Sequence, residues 1–283
     1  MNTSPDAQSH IETRSGRVLV DAHVHLYDCF DRVTFFDGAY RNFQHAAQTL
    51  GLPSDTPGCL MLTETSKDHA FEALLKQHEL DGGRWRFHPA GEGRSLIAAL
   101  DGKDVLTVIA GRQVVTLEGL EVLALGCNEE FTDGRAIEHT IEQVIEADGL
   151  AVLPYGVGKW NGARGVLVDK LLDGPQGSRL LLGDNAGRLS IGGEPKQFTR
   201  ARKRGIWVLP GTDPLPFANQ ATRAGTFGMV LTGGIDRDKP AMSIKQLIQT
   251  ADAQPKAFGR TDGPVSFLAK QFGMQLRKRL VKR

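Results

Sequence analysis

Short apolar runs separated by amphipathic stretches constrain this chain more than any other feature. Seven such runs stand at residues 18–25, 58–63, 121–125, 150–154, 179–182, 206–210 and 226–231, each ending in polar or glycine-containing turns. Between most of them the apolar residues recur at helical spacing: 68–80, 134–147, 165–172, 195–204, 216–224 and 243–253. Strands that alternate with helices need crossover connections, so the pattern predicts an α/β protein with a parallel sheet and its helices outside.

Two segments depart from this rhythm. Residues 84–116 read as four strands joined by glycine turns with no helix, and are expected to form an antiparallel β insertion between the second and third strands of the sheet. A last helix, over 264–279, places Phe267, Leu268, Phe272, Leu276 and Leu280 at helical spacing and is expected to pack across the sheet as a C-terminal cap. Residues 1–15 are polar without periodicity and read as a flexible leader; no linker divides the rest, so 16–283 is taken as one domain.

Bulk properties exclude several functions. With 34 basic and 33 acidic residues the chain has no global field to gather nucleic acid, and the one basic run, Arg277-Lys278-Arg279 with Lys282 and Arg283, also suits a helix C-terminus. Cys29, Cys59 and Cys127 cannot all pair and have no CxxC spacing, which points to a reducing compartment rather than a disulfide framework. No apolar stretch approaches the ~18 residues of a membrane span, and the N-terminus lacks a hydrophobic signal region. A cytoplasmic protein with no membrane partner is expected, its oligomeric state open.

His23-Val24-His25 carries the sharpest chemistry. Residues two apart on an extended strand face the same side, so both imidazoles can reach one ion where the first strand ends. Neutral imidazole suits zinc, iron or manganese. Asp213, following the buried run 206–209, is a second candidate, because an unpaired carboxylate there is costly; capping a helix that begins at Pro214 is its structural alternative.

The segment from Val20 to His25, followed by Asp28 and Asp31, resembles the opening motif of the PHP (polymerase and histidinol phosphatase) family, related to the amidohydrolase superfamily. The resemblance implies a distorted (β/α)7 TIM-like barrel, in keeping with the seven runs. It also implies a metal-binding Glu within Gly126-Cys127-Asn128-Glu129-Glu130 and a metal-binding Asp within Pro210-Gly211-Thr212-Asp213. Glu129 is taken as the ligand, although sequence leaves the choice between it and Glu130 open. Departures are plain: Pro154-Tyr155 and Leu215 stand where the family carries histidines, so one divalent ion (Zn, Mn or Fe), or two, is expected rather than three.

Residues 155–165 hold four glycines, two cations and two aromatic rings, a loop that can present N–H groups and charge to an anion. Lys159, Arg164 and Tyr155 are therefore expected to bind the substrate. Glu64, His69, Asp184 and Asn185 follow strand ends and could line the same mouth, whereas His78, His88 and His139 are read as bystanders and Cys127 lacks a neighbouring base. The resulting expectation is a metal-dependent hydrolase, a phosphoesterase acting on a small anionic substrate, with Asp213 as ligand and base. The alternative is a catalytically degenerate barrel that binds a metabolite or a protein.

Overall fold

The computed structural model describes residues 16–281 except residue 192, so the expected leader, Lys282 and Arg283 lie outside the described residues. The strands are β1 (Arg17–Val24), β2 (Gly58–Leu62), β3 (Glu79–Leu80), β4 (Trp85–Pro89), β5 (Ser95–Leu100), β6 (Lys103–Ile109), β7 (Gly111–Val115), β8 (Glu121–Leu125), β9 (Leu150–Pro154), β10 (Leu180–Asn185), β11 (Val208–Gly211), β12 (Phe227–Thr232) and β13 (Lys256–Gly259). The helices are α1 (Arg32–Thr49), α2 (Ala70–Gln77), α3 (Ile137–Glu146), α4 (Ala163–Asp173), α5 (Lys196–Arg202), α6 (Pro240–Gln249) and α7 (Pro264–Val281).

The expected (β/α)7 barrel is not what forms. The strands divide into an eight-stranded sheet, in the order β13-β12-β1-β2-β6-β5-β4-β3, and a five-stranded sheet, β11-β10-β9-β8-β7, and no closed barrel results. A β/α barrel needs every strand parallel to its neighbours. Here β12 runs antiparallel to β1, and β8 antiparallel to both β7 and β9. Only β1, β2 and β6 in one sheet and β9, β10 and β11 in the other are parallel. An apolar run reads the same in either direction, which is why the pattern alone overcounted parallel units.

Residues 84–116 are not an insertion set apart from the sheet. β4 and β5 extend the larger sheet, β6 lies beside β2 inside it, and the same chain passes through Ala110 into β7, the edge of the smaller sheet. One extended segment thus serves both sheets, as strands at the corners of packed sheets do. At the other seam the sheets touch through the backbone, Asp213 N–H donating to the His23 carbonyl at 2.8 Å.

Three apolar clusters follow from this layering. Val18, Val20 and Ala22 of β1 meet Leu123, Leu125, Val152 and Leu209 of the smaller sheet, with Ala241, Ile244 and Ile248 of α6 closing one end. The outer face of the larger sheet is covered by α1 and α2, that of the smaller sheet by α3, α4 and α5. α1 was not among the expected helices. Its signals are Asp31, whose carboxylate accepts from Thr34 N–H at 2.8 Å as an N-cap, and Phe35, Phe36, Ala39, Phe43 and Ala47 on the buried face. Each fully buried Phe contributes about 1.5–3 kcal/mol, so Asp31, expected in an acidic pair after the histidines, serves the fold.

Two further expectations change. The helix predicted over 216–224 is a 3-10 turn, Ala218–Arg223. In α7, Leu268 and Phe272 are exposed, as is Val265, while Phe267, Lys270, Gln271, Gly273 and Met274 are partly covered, so of the expected apolar positions only Phe267 turns toward the rest of the chain among those described; the side chains of Leu276 and Leu280 lie outside the described ones.

Candidate metal centre

The site begins with an irregularity in β1. Leu19, Val20 and Asp21 pair in step with Gly58, Cys59 and Leu60 of β2, but the next pair is Val24 with Leu62, so two residues of β1 are set against one of β2. The consequence appears in the packing: Ala22 faces the core between the sheets, whereas Val24 faces the core under α1. Strict alternation would leave residues 22 and 24 on one face. The bulge instead turns His23 and His25 together toward the space between the sheets.

Both imidazoles are buried, and their Nε2 atoms lie 3.3 Å apart. Asp213, just beyond β11, directs Oδ1 at the two of them, 3.5 Å from His23 Nε2 and 3.6 Å from His25 Nε2. Asp213 adopts φ +46, a left-handed conformation that costs a non-glycine residue on the order of 1 kcal/mol. Its neighbours hold it there. Thr212 donates from N–H (2.8 Å) and Oγ1 (2.6 Å) to the buried Asp21 carboxylate, which also accepts from Gly225 N–H at 2.8 Å and His23 N–H at 3.3 Å. Gly211 lets the strands close: a Cβ there would lie 2.3 Å from the His23 nitrogen.

Burial sets the charge state of the rings. It lowers His23 to about 4, against Glu121 and the Gln113 amide, which favour the protonated form; Lys159 adds to the lowering. Burial likewise lowers His25 to about 4, with the charge of His23 acting in the same direction and Asp213, Asp68 and Glu121 opposing. At neutral pH both rings are therefore neutral, with a lone pair free on one nitrogen each. Three donor atoms separated by 3.3, 3.5 and 3.6 Å match the edge of a tetrahedron, about 3.4 Å for bonds of about 2.1 Å to a central ion. Two imidazoles and one carboxylate on one face form a set that suits zinc or iron and leaves the opposite positions open.

Among the described residues, His23, His25 and Asp213 are the group whose ligand atoms converge. Glu129 does not join them: it is exposed and lies beside Cys127, whose thiol is pushed up to about 12 by burial first and the Glu129 carboxylate second. Such a thiol is a poor nucleophile. Lys159 stands near the centre, held by an ion pair with Glu121, and its charge reaches His23. Arg164 instead bonds the carbonyls of Gly119 and Gly158 at the exposed surface, and Tyr155 packs edge-on against Trp160 and Phe198 in the outer core of the smaller sheet.

The remaining candidates are engaged elsewhere. Glu64 pairs with buried Arg112 at 2.8 Å and accepts from Phe71 N–H at 2.7 Å; Asp184 binds Arg188 through both oxygens; Asn185 donates to the Tyr155 carbonyl. His69, His78, His88 and His139 are exposed. The site residues that the sequence did not point to are Glu121, Gln113 and Asp68. Gln113 pairs with Leu123, which faces the inter-sheet core, so polar residues here interrupt an apolar face. Their signal in sequence is faint, because a polar residue in a short strand ordinarily faces water.

No protein-family model matches the chain, and no curated protein matches it. Among solved structures it is similar to the crystal structure of PsfC from Pseudomonas syringae PB-5123, at 14% identity and a TM-score of 0.53, covering 93% of this chain and 99% of that one. That likeness concerns the fold alone. The PHP resemblance of the His23 motif therefore finds no support in these comparisons.

Proposed function

We propose that this chain is a metal-dependent hydrolase in which His23, His25 and Asp213 hold one divalent ion, zinc, manganese or iron, and which acts on a small phosphorylated substrate. The convergence of two neutral imidazole nitrogens and a carboxylate oxygen within 3.3–3.6 Å of one another carries the reading. A divalent ion so held would lower the pKa of bound water and polarise the ester. The residues supply the rest. Burial keeps the imidazoles unprotonated, so no proton competes for the ligand positions. Asp213 has a second oxygen to accept a proton from the attacking water, and its side chain keeps 27% of its surface open to solvent. Lys159, anchored by Glu121, offers an ammonium group to an anionic substrate.

The test is metal content and ester hydrolysis together. The purified chain should take up one equivalent of zinc, manganese or iron and hydrolyse p-nitrophenyl phosphate. Chelation should abolish turnover, as should His23→Ala. A chain that binds no ion, with no shift in melting temperature on adding metal, overturns the proposal. Uptake of one ion without turnover on a panel of phosphate esters would leave a binding module, the reading to which the set-apart position of Glu129 lends weight.

A further inference from the structure

On the Asp213 side of the centre, Asp262 is buried and is shared by two cations. Arg223 reaches Oδ1 at 2.8 Å and Lys270 reaches Oδ2 at 2.6 Å, the two cationic side chains being 20% and 12% exposed. Backbone bonds tie this cluster to the site: Asp262 N–H donates to the Ala186 carbonyl at 2.8 Å, and Ala186 N–H donates to the carbonyl of Gly211, two residues before Asp213. Arg223 also donates to the Ala186 carbonyl, at 3.2 Å. α7, which carries Lys270, lies on the segment after Asp213, Gly273 resting against the Phe217 ring.

Charge around the centre is uneven. Glu121 and Lys159, whose charges reach the rings, are matched one to one. On the His25 side Asp68 adds a negative charge that acts on the ring. Around Asp262 two cations share one carboxylate, and the other acid whose charge reaches Lys270 is Asp213; an ion held by Asp213 would leave positive charge over in this largely desolvated place. Burial lowers the Lys270 pKa and the charge of Arg223 lowers it further, against the pull of Asp262 and Asp213. With Asp213 given over to an ion, an anion is what this corner would lack.

We infer that Arg223 and Lys270 form the subsite for the anionic phosphate group of the substrate, placing it on the Asp213 side of the centre with the rest of the substrate toward Asp68. This rests on the hydrolase reading for its meaning, but anion binding is measurable without turnover. α7 is then part of the site rather than a decoration of the surface. Asp262 does not bind the substrate; it orients both cations and holds back part of their charge.

The experiment titrates the full chain calorimetrically with inorganic phosphate, and with acetate as a comparison anion, both metal-free and manganese-loaded. Phosphate should bind more tightly than acetate. Lys270→Gln and Arg223→Gln should each weaken phosphate about tenfold, the loss expected for one hydrogen bond to a charged group, while Lys270→Arg retains it. Asp262→Asn should tighten phosphate binding, a change of opposite sign that a structural ion pair does not produce; if that variant does not fold, the Lys270→Gln and Lys270→Arg pair carries the test. Phosphate affinity indifferent to both cation substitutions, with manganese uptake intact, overturns the subsite alone. Absence of manganese uptake, with phosphate still sensitive to Lys270 and Arg223, overturns the metal reading and leaves the subsite standing.

Discussion

Asp21 and Asp213 stand on either side of the same seam and do opposite work. Asp21 is fully buried and accepts four hydrogen bonds, two from Thr212 and one each from Gly225 and His23. Burial pushes its pKa up to about 7 and these donors oppose that. Asp213 is partly open, sits in a left-handed conformation and faces two imidazole nitrogens. A carboxylate whose lone pairs are filled by backbone N–H and hydroxyl donors stitches the fold; one aimed at neutral rings has capacity to spare for an ion. Residue type is the same, and the supply of donors separates the roles.

The largest effect should come from the stitching carboxylate. Asp21→Ala strands at least three buried donors, at about 1–3 kcal/mol each, and should cost roughly 4 kcal/mol in chemical denaturation. A loss below about 1 kcal/mol would erase the contrast. Asp213→Gly should do the reverse: divalent-ion affinity, measured by equilibrium dialysis, drops more than about 100-fold, while the metal-free protein gains about 1 kcal/mol as the left-handed strain is relieved. If affinity persists, Asp213 belongs with Asp21 as a structural group.

Gly211→Ala tests the close approach that lets the two carboxylates share a seam. Its Cβ would meet the His23 backbone at 2.3 Å, so a loss of about 2 kcal/mol is expected, together with weaker metal binding as β1 and β11 part. The smallest effect concerns a third satisfied carboxylate. Burial raises the Asp37 pKa, but hydrogen bonds from Trp85 and Arg84 outweigh it, and the net shift is below the ordinary 3.8. A depressed folded pKa means stability present above the unfolded value and lost as the pH falls through the folded one. Wild type should therefore lose stability on acidification below pH 3.8 more steeply than Asp37→Asn, by under about 1 kcal/mol in urea melts.

His23, His25 and Asp213 were legible in the sequence because spacing and chemical type are local: two histidines two apart on an apolar run, and an acid at the end of another. Lys159 was legible as a cation in a glycine-rich loop. Glu129 and Tyr155 were drawn in by position after a strand, yet one faces solvent beside Cys127 and the other packs in the outer core. Glu121, Gln113 and Asp68 escaped notice because their nearness to the rings depends on β7 and β8 meeting β1 across the two sheets and on the segment that follows β2 lying beside β1.

The positions of most strands and the candidacy of the histidine pair could be read from the sequence, since they depend on which residues are neighbours along the chain; β3 and β13 were not among the expected runs. Strand direction, the division into two sheets and the bulge that turns His23 and His25 inward were decided only in three dimensions. An apolar run is equally content parallel or antiparallel, and a one-residue slip that reverses every later side chain leaves no trace in local pattern. It is the packing of distant segments that selects among those alternatives.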